Sequence, residues 1–149
     1  MTPMRKKKKA KRAKRGFSFL QDWGTYPAQT LVCVGLGKPE VLKVLRSYGG
    51  SDGTGRTMAR MADAFDKTVE HDLTKNKGYF WSFEGRSVLA VREYADRWEW
   101  WETLMHELHH AVHLINGEER GQEKELEALA YQQEYLFRAI RRRLQGRER

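Results

Sequence analysis

A chain of 149 residues, 40% hydrophobic and 32% charged, is long enough for one packed domain and too short for two. Its net charge is +8 and it has a single cysteine, which excludes a disulfide framework and a thiolate zinc ribbon. No apolar run approaches the ~20 residues of a membrane-crossing helix, so no transmembrane span is expected.

The basicity is concentrated at the start. Arg5, Lys6, Lys7, Lys8, Lys9, Lys11, Arg12, Lys14 and Arg15 supply nine of the 28 cations with no acid among them, and without residues 1–15 the formal charge becomes −1. A block this dense repels itself and buries nothing, so it reads as a disordered arm that awaits a polyanion. Nucleic acid, bound through its phosphates, is the natural partner, with solubility or attachment to any acidic surface as the blander use. Arg138, Arg141, Arg142, Arg143, Arg147 and Arg149 make a second basic end. No apolar stretch follows Arg15, so the arm is not a secretory signal and a cytoplasmic setting is expected.

Thr30 to Val34 is a β-branched apolar run and predicts a strand that holds Cys33. Pro39 to Tyr48 predicts a short helix stopped by Gly49-Gly50. Gly49 to Thr57 lacks the Gly-Lys-Ser/Thr ending of a phosphate loop and reads as a mobile surface loop. Met58, Met61, Phe65 and Val69 are spaced for an amphipathic helix, and His71 beyond them is expected on the surface. Tyr79 to Phe83 and Val88 to Val91 flank Glu84-Gly85-Arg86-Ser87, a hairpin signal that leaves open which strand is the edge.

The next segment carries the chemistry. Asp96 and Glu99 form an Asp-x-x-Glu capping pattern, and Gly117 is a natural stop, so a helix is expected between them. Trp101, Leu104, Met105, Leu108, Ala111, Val112 and Ile115 fall on one stripe, with His106, His110 and His113 on the other side. His106-Glu107-Leu108-His109-His110 is an H-E-x-x-H pattern. Histidines four apart stack on one helical face and can reach one ion, while a carboxylate at the second position can take a proton from a polarised water. His113 lies too far along the axis to join them readily and is read as a supporting group.

A third ligand is expected from a following helix, about Gln122 to Leu144, whose flank holds Glu123, Glu127 and Glu134. Glu127 is preferred because Ala128 and Ala130 beside it let two helices approach. The opposing view makes these glutamates a solvated face paired with Arg138 and Arg141.

His106 to His110, followed by Glu127-Ala128-Leu129-Ala130-Tyr131-Gln132, resembles the small gluzincin-type metallopeptidases, especially those encoded by tailed bacteriophages. The resemblance covers roughly Gly78 to Phe137, and more weakly Tyr26 to Leu45. It implies a strand, a hairpin, the H-E-x-x-H helix and a second helix, with an edge strand upstream that receives the substrate as an extended peptide. It also implies zinc held by His106, His110 and Glu127, with Glu107 as general base. Tyr131 or Tyr135 would support the oxyanion. The expected architecture is therefore α+β: a small antiparallel or mixed sheet packed on the H-E-x-x-H helix and a second long C-terminal helix. Residues 16–149 would form one zincin-like domain behind the 1–15 arm, acting on protein or peptide in a host cytoplasm, with virion association as a variant. The alternative is a nucleic-acid-binding or virion-associated protein on the same scaffold without catalysis. A DNA-dependent protease of the SprT kind lacks its cysteine cluster here.

Overall fold

In the computed structural model the residues described are 16–24, 26–48, 53–70, 73, 75–120 and 126–147; for 26, 27, 53–57, 115–120, 126–129 and 147 the description is of the backbone alone. They form β1 (Phe17–Trp23), β2 (Tyr26–Val34), α1 (Lys38–Ser47), α2 (Gly53–Thr68), β3 (Gly78–Phe83), β4 (Arg86–Val91), α3 (Trp98–Arg120) and α4 (Leu126–Arg147). The arm, Gly49 to Asp52, His71 and Glu123 lie outside the described residues.

The four strands make one mixed sheet in the order β1-β2-β4-β3, so β3 and β1 are its edges. β2 and β4 are parallel, with Leu31 beside Val88 and Val32 beside Leu89, and the flanking pairs are antiparallel. Strand alternation divides the apolar residues between two cores. Val32, Val34, Leu89 and Val91 face Leu104, Leu108, Val112, Leu136, Ile140 and Leu144 of α3 and α4. Leu31, Cys33, Val88 and Ala90 face Val41, Leu45, Met61 and Phe65 of α1 and α2. The fold is thus α+β with helices on both faces, and the central strands are apolar on both sides because both sides are covered. Burial raises the Cys33 thiol to about 12, so it is an inert filler between β2 and α2.

Several local expectations are corrected. Residues 17–23, for which no strand is expected from sequence, form β1, because β2 and α4 supply the burial that its irregular pattern does not announce. Gly53 to Thr57 belong to α2 rather than to a loop, an extension of the Met58 to Val69 helix at its N-terminal side. The hairpin turn is Glu84-Gly85 alone, with φ of 47° and 77°, so Arg86 and Ser87 are in the strand. Positive φ at both turn residues is the twist-matched two-residue hairpin geometry, and the Glu84 carboxylate accepts from Arg60 of α2 at 2.9 Å.

At the start of α3 the Asp96 carboxylate does not cap the backbone. It accepts from the Trp101 indole at 3.0 Å, while Trp100 and Trp101 N–H donate to the Arg97 carbonyl. An aromatic cluster of Tyr94, Trp100, Trp101 and Phe137 replaces the polar cap, with Tyr94 and Trp100 edge to face at 4.9 Å. Gly117 does not end α3, which continues to Arg120. An interior glycine costs only about 1 kcal/mol, and Glu118-Glu119-Arg120 are good helix formers. No described helix is long and apolar enough to cross a membrane.

Candidate metal centre on the H-E-x-x-H helix

α3 lies against β3 and β4, and α4 lies against α3 and β1. Trp100, Leu104, Leu108, Ala111 and Val112 are buried and fix the inward face of α3. Met105, expected in that stripe, is 36% exposed, since at 100° per residue it falls at the margin of the arc that Leu104, Leu108, Ala111 and Val112 bury. His106 and His110 are exposed on the other side. Their Nε2 atoms stand 3.0 Å apart with rings at 89°, one ring donating to the other. Two imidazole nitrogens on a tetrahedral zinc ion would be about 3.3 Å apart, so this pair fits two of its ligand positions with a small opening of the rings. The His110 imidazole titrates below the ordinary histidine value, first through partial desolvation and then through the neighbouring rings of His106 and His109. Its lone pair is therefore available at neutral pH.

Glu107 is 7% exposed and points to the β3 side of the helix. A Cβ on Gly78, the first residue of β3, would come within 3.2 Å of Glu107 Cγ and 3.0 Å of Thr103 Cγ2. Glycine at that position lets the edge strand approach the helix where the carboxylate lies. A cleft of about 460 Å³ opens there, lined by Lys75, Lys77, Gly78, Thr103, His106 and Glu107 among others. The hairpin strand nearest the centre of the candidate site is thus the sheet edge β3, which the sequence leaves open.

α3 and α4 run antiparallel: Gln133 Nε2 donates to the Met105 carbonyl at 3.3 Å, and the Phe137 ring packs on Trp101 at 5.8 Å. The same register carries position 127 to the level of Ala111, one residue beyond His110. The Glu127 side chain is outside the described residues, and among those described no three His, Cys, Asp or Glu groups converge on one point. Glu134, the other flank carboxylate within the described residues, is exposed and ion-paired with Arg138, as the solvated-face view expects. His113 is not aligned with His106 and His110 but rests against His109 with ring centroids 4.2 Å apart. The Tyr135 ring lies against Gly24 at the β1–β2 turn, next to the sheet edge opposite β3, while Tyr131 is exposed.

Comparison with protein-family models, with curated proteins and with solved structures found no match.

Proposed function

We propose that this chain is a zinc-dependent peptidase of the minimal gluzincin kind, with His106, His110 and Glu127 as metal ligands and Glu107 as general base. The observation that carries the reading is the pairing of two exposed imidazole nitrogens 3.0 Å apart with a buried carboxylate one residue along, at a cleft beside an edge strand. The order of strand, hairpin, H-E-x-x-H helix and second helix supports it.

Zinc, when bound, supplies Lewis acidity toward a scissile carbonyl oxygen and toward water. His106 and His110 hold their side of the site rigidly, because Leu104, Leu108 and Ala111 lock α3 against the sheet. Glu107 takes the proton of the attacking water and passes it to the departing amine. β3 is an edge strand of the sheet, and an extended peptide added along it would lie beside Glu107.

Glu107→Gln keeps the shape of the side chain and removes its basicity. Cleavage of an unstructured casein probe by the zinc-loaded variant should fall ~10²–10⁴-fold below the native rate. Equal cleavage by the variant would remove Glu107 from the mechanism.

A further inference from the structure

Four of the chain's five histidines, His106, His109, His110 and His113, fall within eight residues of α3. At ~100° per residue they share one arc of about 100°, and they divide into two pairs, each four residues apart. Histidine is a middling helix former, and a face that needs only solvation is better served by Glu, Lys or Gln. His106 and His110 belong to the centre proposed above. The second pair, His109 and His113, has no part in it.

The His109 and His113 rings stand with centroids 4.2 Å apart and planes tilted by 51°. Two imidazoles on one ion, with metal–nitrogen bonds of about 2.0–2.1 Å and an angle of about 90–109° between them, have centroids roughly 4.5–5.2 Å apart. Opening the rings by about 0.3 Å reaches that range. The His109 and His110 rings, by contrast, are 6.4 Å apart, beyond it. The two pairs therefore make two centres rather than one. They also open to different sides: Trp101, Met105, His109 and His113 recur every four residues, and Trp101 and Met105 are the positions that Phe137 and Gln133 of α4 meet. His106 instead lines the cleft beside β3.

We propose that His109 and His113 form a second metal centre, for a first-row divalent ion that favours imidazole: copper, nickel or zinc. Magnesium and calcium take oxygen donors, whereas a pair of imidazole nitrogens selects the later transition ions, copper above nickel and zinc. Among the described residues no third His, Cys, Asp or Glu joins the pair, so water completes the shell. With two protein ligands the centre holds its ion more weakly than a three-ligand site and fills when metal is supplied. An ion bridging residues four apart ties one turn of α3 into helical geometry, so binding stabilises the folded chain. The centre needs neither Glu107 nor catalysis and stands apart from the peptidase reading.

Equilibrium dialysis of the full chain against nickel, followed by elemental analysis, tests this in the His106→Ala/His110→Ala variant, where the first pair is gone. Circular dichroism checks the fold of each variant, and the nickel concentration is one that leaves the chain lacking all four α3 histidines bare. The double variant should hold about one nickel per chain, and none once His109→Gln or His113→Gln is added. Its thermal midpoint should rise with nickel concentration, and that rise should vanish with His109→Gln. Magnesium in equal amount should not displace the nickel. No nickel in the double variant, or an equal content after His109→Gln, would overturn the proposal. Either result leaves the assignment of zinc to His106 and His110, which is read on the native chain, unaffected.

Discussion

Thr30 accepts the Trp23 indole N–H at 2.8 Å and shares a hydrogen bond with Ser87 at 2.7 Å, all three groups being buried. Its hydroxyl thus satisfies a tryptophan and a serine on two different strands of the α4-side face. Thr30→Val keeps the volume but leaves both without a partner, so stability should fall by about 1–3 kcal/mol in denaturant unfolding. An unchanged midpoint would show that the pair is satisfied some other way. This triad was not legible in the sequence, because Thr30 and Ser87 are brought together only by the parallel pairing of β2 with β4. His106, Glu107 and His110 were legible, since four-residue spacing on a helix is a local property. The sequence reads His113 as a supporting group to His106 and His110, whereas its ring partner is His109, four residues back and equally local.

Elements formed where local pattern and burial agree, as in α1 and β4, and were misjudged where contacts from afar decide. β1 reads Phe-Ser-Phe-Leu-Gln-Asp-Trp, with a register shift at Asp22/Trp23, and its inward side is defined only once β2 and α4 are in place. The edge position of β3 likewise follows from β4 pairing with β2 across α1 and α2, a non-local event. Gly78 is where that edge meets α3. A Cβ there would approach the Ala90 carbonyl oxygen to 2.9 Å, so backbone must move. Gly78→Ala should cost about 1–3 kcal/mol of stability. It should also slow any peptide cleavage, because the displaced groups include Glu107; a variant as stable and active as the native chain would separate β3 from the candidate site.

At the scale of the molecule, a sheet covered on both faces carries the fold, and the cationic arm stands outside that account. From Arg5 to Arg15 the only uncharged residues are Ala10 and Ala13, so the arm has no apolar surface to bury. Removal of residues 1–15 should leave the thermal midpoint and metal content unchanged while flattening the salt dependence of nucleic-acid binding. A large drop in midpoint would mean the arm packs on the domain. The fold class was legible because amphipathic helices alternate with strand runs, while the helices on the second face of the sheet were not foreseen as a layer. The central claim is that α3 and α4 together hold one catalytic zinc ion, and elemental analysis of chelator-free protein tests it most directly. The native chain and Glu107→Gln should each carry about one zinc, and His106→Ala, His110→Ala and Glu127→Ala should lose it; a native chain without zinc, or a His106→Ala variant with its full complement, would contradict the account.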